Sequence, residues 1–397
     1  MSTRRAVIID VVRTPFARGR EGGSLAGVHP VDLYAQTLST LINRSQLDPL
    51  LIEDVITGCV IQVAEQAGNI GRQALLAAGF PESVPAVTLD RKCGSAQQAM
   101  DFAAQGIISG AYDAVVAGGV EMMSTVPMRV NRLGKDNEGR LFRQRYPDGM
   151  IRQGVSAELI ATHWGLSRSE LDEFSLGSHQ KAGDDFIGRT RDIVPIENFS
   201  KQPSELVTED EGIRLDANLE SLSGLNTVFK TDEMMDRYPE INWKLTAGSS
   251  SPVSDGASAM LIMEEQLAFK LNLSPRAAVT HFSVVGDDPV MMLTAIIPAT
   301  RKLLKRSGLR LSDIDAYEVN EAFASIPLAW LKELGGDPEK LNQYGGALAL
   351  GHPVGASGGR LVANMLRVLQ DTNGRYGLIT MCESGGMANA TLLENLT

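Results

Sequence analysis

The chain has 397 residues, 43% of them hydrophobic and 21% charged, with a formal net charge of -11 at pH 7. Such a length buries a large core and exceeds one ordinary domain, and the acidic balance argues against a nucleic-acid partner, whose phosphates require a basic footprint. No apolar run reaches the roughly 20 residues that cross a bilayer. Three widely spaced cysteines and five scattered histidines give neither a disulfide framework nor a metal-ligand cluster, so we expect no membrane span, no metal and a reducing, cytoplasmic location.

The opening "MSTRRAVIIDVV" runs directly into a strand instead of a signal-peptide core. "RAVIIDVV", "PVDLYAQTLSTLINRS", "EDVITGCVIQ", "GNIGRQALLAAGF" and "VPAVTLD" then alternate strand-like and helical patterns, which predicts an α/β unit with a largely parallel sheet. After Cys93 the apolar positions Ala96, Ala99, Met100, Ala103 and Ile107 recur at helical spacing, and "DAVVAGG" reads as the next buried strand. Residues 122–246 differ in kind, being charged and rich in Met and Arg, as an insertion laid over the core would be. Within them, Arg129 to Arg152 holds seven cations against three anions, a net +4; this is either a solvated or subunit-facing loop or a field for a small polyanion. The late segment "LSDIDAYEVNEAF" repeats the order of "LIEDVITGCVIQV", and 39 positions separate Asp54 from Cys93 and Asp313 from His352. Two halves of one repeated design follow, each delivering a loop to a common centre.

Cys93 lies at a predicted helix N-terminus behind Arg91 and Lys92, where the helix dipole and both cations push a thiol toward thiolate; an inert, packed cysteine is the plain alternative. "GGALALGHPVGASGG" sets His352 among glycines and small residues, as a crowded site requires, and the nucleotide-loop patterns GxGxxG and GxxxxGK are absent. Cys382 in "MCESGG" stands where a strand gives way to glycines, and "EVNEAFA" ends a strand with Asn320 and Glu321 beside Phe323.

Through "CGSAQQA", "AGGVEMMS", "TAGSSSPVSDGA", "NEAFA", "GGALALGHPVGASGG" and a terminal cysteine-glycine motif, the sequence resembles the thiolase family over essentially its full length. The resemblance implies a five-layered αβαβα fold of two similar halves, 1–121 with 247–270 and 271–397, with a loop domain inserted at 122–246. It implies action on acyl-coenzyme A thioesters with coenzyme A (CoA) as co-substrate, no permanently bound cofactor, and a homodimer or homotetramer. By the match, Cys93 takes the acyl group, His352 activates it, Asn320 holds a water that helps polarise the thioester oxygen, and Cys382 moves the proton at the α-carbon. The backbone N–H groups of Cys93 and Ser384 form an oxyanion hole, and Ser251, Arg214 and Phe323 belong to the CoA site.

The chain departs from the family pattern in "CESGGMANA", where Ser384 and Ala388 replace glycines, and in "LDRK", where Asp90 reads as a turn residue. "IRQGVSAEL" lacks the His-Met-Gly of acetoacetyl-CoA enzymes, having Arg152 and Gln153 before Gly154. Met234, Met235, Tyr238 and Trp243 in the 231–244 stretch either roof a pocket for a bulky acyl chain or pack the insertion onto the core. The expected activity is thiolytic cleavage of a 3-oxoacyl-CoA. The rivals are an acetoacetyl-CoA thiolase of biosynthetic type, a ketoacyl synthase, disfavoured by the second cysteine, and an acyl-CoA or lipid-binding relative without turnover.

Overall fold

The computed structural model describes residues 4–397. Its strands are β1 (Ala6–Arg13), β2 (Ala17–Arg18), β3 (Asp54–Gly58), β4 (Ala86–Leu89), β5 (Ala114–Met122), β6 (Ile196–Asn198), β7 (Glu205–Val207), β8 (Ser254–Glu264), β9 (Ala277–Gly286), β10 (Ala316–Val319), β11 (Tyr376–Glu383) and β12 (Met387–Asn395). Strands β5 and β8 are buried at every position, so apart from Glu121, Asp255 and Glu264 their sequences are apolar and small residues without alternation.

The sheet order is β10-β11-β12-β9-β1-β8-β5-β3-β4, and β2 pairs with β8 outside this path. Only β3–β4, β3–β5 and β10–β11 are parallel; β1–β8, β5–β8, β9–β12 and β11–β12 are antiparallel. The sheet is therefore mixed, which corrects the expectation of a largely parallel one: the alternation read from the sequence covers the parallel segment, and β8 and β12 return against it. The runs β1-β8-β5-β3 and β9-β12-β11-β10 match in order and sense, so the two halves are structural repeats. They meet where Val7 and Ile8 of β1 pair with Ala278 and Ala277 of β9.

Three large hydrophobic clusters define five layers, and a small fourth one joins Ala182 to Ala349 and Leu350. The first lies under the helices Pro30–Ser45 and Ile70–Ala77, and another lies under the helices Ile296–Ser307 and Ser325–Leu334. The central cluster joins Met100, Ala103 and Ile107 to Leu361, Val362 and Leu366, so the helices Ser95–Ser109 and Ser357–Thr372 form the middle layer. The second of these is buried all round from Ser357 to Leu369, which only a helix between two sheets sustains.

The segment between β5 and β8 carries the helices Gln153–His163 and Arg168–Asp184 and the small β6–β7 hairpin. It is tied to the core by buried ion pairs. Arg13 of β1 grips Asp210 through both guanidinium nitrogens at 2.6 and 2.7 Å, and Arg367 of the second central helix binds Asp185. Removing one partner of such a buried pair strands a charge and costs about 3–5 kcal/mol.

Candidate active site

The repeat brings the four expected catalytic side chains to one place by two routes. Cys93 and His352 each stand just ahead of a central helix, and Asn320 and Cys382 stand at the carboxyl ends of the adjacent parallel strands β10 and β11. All four are buried.

Local chemistry fixes the turn that carries Cys93. Asp90 Oδ1 accepts the Lys92 N–H at 2.7 Å, and Lys92 adopts a left-handed φ of 51°. Ser95 Oγ accepts the Arg91 N–H at 2.9 Å and donates to the Lys92 carbonyl at 2.6 Å. Asp90 is thus a turn residue, as expected. Gly94 is required because a Cβ there would fall on the Glu383 carboxyl. The turn after Glu383 places Gly385 and Gly386 at positive φ but not Ser384, and Ala388 lies in β12 paired with Cys382. Neither replacement of a family glycine therefore strains the backbone, and the Ser384 N–H is kept.

His352 is held at both ends. Its backbone N–H donates to Ser254 Oγ at 3.0 Å, and its Nδ1 lies 2.6 Å from Ser357 Oγ. Ser357 Oγ donates its one proton to the Pro353 carbonyl at 2.8 Å, so it accepts from Nδ1–H. The Nε2 lone pair therefore faces the site, with Asn320 Nδ2 at 3.4 Å. Asn320 Oδ1 is buried without a protein partner, an open acceptor. Glu321 plays a structural part: its carboxylate accepts from Asn342, Ser178 and the Leu348 N–H, and so holds the segment that leads to His352.

The electrostatics overturn one expectation. Cys93 is not pre-ionised: burial pushes its thiol up to about 12, Glu383 adds to the rise, and the Gln153 amide and Lys92 oppose it. Desolvation outweighs the helix terminus because the thiol is sealed from water. Burial likewise pushes the Cys382 thiol well up, with Cys93 and Glu383 adding and the Asn320 amide opposing. The same burial, helped by the Arg360 charge, lowers His352 to about 3. At rest the site holds two thiols and a neutral imidazole.

Beside it lies a cavity of about 620 Å³ lined by Arg18, Arg20, Arg214, Ser250, Pro252 and Leu348 among others. Leu348 leads to His352, and the 250–252 stretch leads to Ser254, so the cavity wall is continuous with the supports of the imidazole. Arg214, proposed from the sequence for the CoA site, is among the lining residues. Ser251 and Phe323 do not line it: Ser251 donates its N–H to Ala322, and Phe323 stacks edge-on against Phe229 at 5.6 Å. The 129–152 window does not line it either, and Arg143 there is spent on Asp136 and Glu138. The cations facing the cavity come from segments far apart in sequence.

The 231–244 stretch follows the packing reading. Met234, Tyr238 and Trp243 pack on the second-half core, and none of the four named residues lines the cavity. Phe229, Ser254, Ser357, Glu383, Arg18 and Arg20 were not singled out by the sequence. Ser254, Ser357 and Glu383 sit inside quoted motifs, whereas the others carry no sequence signal of their own.

A family model described as the thiolase N-terminal domain matches residues 6–266, and one for the thiolase C-terminal domain matches residues 273–395. The chain belongs to the thiolase family. It is 45% identical to the steroid 3-ketoacyl-CoA thiolase FadA6 of Mycobacterium tuberculosis, covering 98% of this chain and 94% of that protein. It is 40% identical to a 3-ketoacyl-CoA thiolase of Pseudoalteromonas translucida, covering 98% of each. The crystal structure of the Bacillus anthracis acetyl-CoA acetyltransferase, another thiolase-like fold, superposes with a TM-score of 0.89 at 34% identity over 99% of both chains.

Because Ser357 sets the tautomer, Ser357→Ala should leave the fold intact and slow acyl transfer from an acyl-CoA thioester onto the protein by roughly 10- to 100-fold, as loss of such an orienting partner does elsewhere. Intact-mass spectrometry over a single turnover reads this rate; a change of less than about twofold would show that the imidazole orients without Ser357.

Proposed function

We propose that this protein is a 3-ketoacyl-CoA thiolase, an acyltransferase that splits a 3-oxoacyl-CoA with CoA into acetyl-CoA and a shortened acyl-CoA. The observation that carries the proposal is the buried His352 imidazole, whose Nε2 lone pair lies 3.4 Å from an Asn320 amide that also faces the Cys382 thiol, with the Cys93 thiol beside Cys382.

In this reading His352 Nε2 takes the Cys93 proton, and the thiolate attacks the 3-carbonyl carbon of the substrate. The backbone N–H groups of Cys93 and Ser384 receive the oxyanion. The bond between C2 and C3 then breaks, leaving an acyl thioester on Cys93 and an electron pair on C2 as an enolate. The enolate oxygen is met by the new Nε2–H of His352 and by a water on Asn320, and Cys382 delivers its proton to C2, releasing acetyl-CoA. In the second half CoA gives its thiol proton to the Cys382 thiolate and attacks the acyl group; Cys93 leaves and recovers its proton from His352.

CoA enters along the cavity, with Arg18, Arg20 and Arg214 meeting its phosphates and adenine, and Ser251 and Phe323, which lie off the cavity wall, flank the pantetheine arm as it runs on toward Cys93. The segment 122–246 serves as the unit that binds CoA and the acyl chain. The names of the relatives, one a steroid enzyme, favour a substrate longer or bulkier than acetoacetyl-CoA, and so does Arg152-Gln153 before Gly154. The alternative, an acetoacetyl-CoA enzyme, draws on the likeness to the acetyl-CoA acetyltransferase. Two further features fit a homo-oligomer in a reducing cytoplasm. The edge strand β4 is open, with Val87 44% exposed, and all three cysteines are free.

Cys93→Ala should abolish the covalent acyl adduct, whereas Cys382→Ala should acylate but fail to turn over; an adduct on Cys93→Ala at wild-type stoichiometry would remove the assignment. Arg18→Ala with Arg20→Ala should raise the KM for CoA by about fivefold or more and flatten its salt dependence, with kcat little changed. If neutralising Arg140, Arg143 and Arg145 has the larger effect instead, the phosphates lie on the other face.

A further inference from the structure

Glu383 is a buried acid that the chemistry above leaves unused. It follows Cys382 in β11, so strand alternation turns it to the opposite face, against the turn that carries Cys93. Its side chain is fully buried, and neither carboxyl oxygen has a hydrogen-bond partner. Its carboxyl occupies the space beside Gly94, one residue from the nucleophile. Among the described residues it makes no salt bridge within 4.0 Å. The charged and titratable groups that face it are Asp90 and Arg91 from the turn, Cys93, Asp101 on the first central helix and Cys382 on its own strand.

A carboxylate in such a place, without donors, is far less stable than the acid. Its charge would also oppose thiolate formation at either cysteine across a water-free gap. The proposed reaction requires each thiol to become a thiolate in turn, first Cys93 and then Cys382.

We infer that Glu383 is a positioning residue that works as a neutral carboxylic acid: by staying protonated behind the Cys93–Cys382 pair, it lets each thiol ionise in its turn. The inference rests on the roles proposed for the two cysteines. It makes activity depend on a proton that never reaches substrate. The balance is simple: when Glu383 gives that proton to solvent, no bond changes, but a second negative charge stands beside the nascent thiolate. Desolvation, with Asp101 and Asp90 adding and Arg91 opposing, raises the carboxyl to about 9, so the loss falls on the alkaline side.

The test is the pH profile of single-turnover acylation, followed by intact mass from about pH 7 to about pH 10, for wild type, Glu383→Gln and Glu383→Met. The wild-type rate should fall above about pH 9. Both variants, which cannot ionise there, should lose that fall, so that their ratio of rates at about pH 10 to about pH 8 exceeds the wild-type ratio by about tenfold. A wild-type profile with no alkaline fall overturns the inference even if neither variant folds, and so do superimposable profiles. Thermal unfolding separates a purely structural role. A raised carboxyl stabilises the fold below its unfolded value and loses that contribution as pH climbs through about 9, so the variants should flatten the dependence of Tm on pH. A flattened Tm with an unchanged acylation profile means that Glu383 only fills the core. An acyl adduct that persists on Cys93→Ala would instead bring down the nucleophile assignment itself.

Discussion

Exclusion of water from the site is the constraint on which the rest depends. Cys93, Cys382, His352 and Asn320 are all sealed from solvent, and a sealed titratable group takes its neutral form unless a partner charge holds it otherwise. Lys92 favours a Cys93 thiolate, but Asp90 engages it and burial outweighs it, so the resting site carries thiols and an imidazole instead of a thiolate–imidazolium pair. Charge then arises only as substrate arrives, and the hydrogen-bond donors already in place receive it with little reorganisation.

The fold makes this arrangement possible. A single helix terminus could present one nucleophile, but two repeats around a shared middle layer present two termini side by side, and the parallel strands β10 and β11 add Asn320 and Cys382 from the opposite direction. The layers on both sides keep water out. The pairing of β1 with β9 and the grip of Arg13 on Asp210 then lock the halves and the insertion into one body. The neighbouring cavity stays open, with Arg18, Arg20 and Arg214 on its wall.

Much of this was legible in the sequence because the repeat is short-range and regular: equal spacing from Asp54 to Cys93 and from Asp313 to His352 placed both loops. The ionisation state was not legible. Arg91 and Lys92 suggested an activated thiol, but Lys92 is engaged by Asp90, and burial outweighs what remains. The cavity was legible at Arg214 and in the "TAGSSS" stretch but not at Arg18 and Arg20, which are nearly 200 positions from Arg214 with no pattern to link them. The basic window drew attention by density alone, yet it is not part of the cavity wall. Glu383 was hidden because an acid beside a cysteine at a strand end reads as exposed, and only the pleat reveals that it points inward.

The neutral resting site is the central claim, and thiolate absorbance in the ultraviolet tests it most directly. The difference spectrum between wild type and Cys93→Ala should show no thiolate band at about pH 8 and should develop one only at strongly alkaline pH, since the folded thiol lies at about 12. A Cys93-dependent thiolate band already present at about pH 7 would mean that a stable ion pair with His352 exists before substrate binds, and would contradict the account.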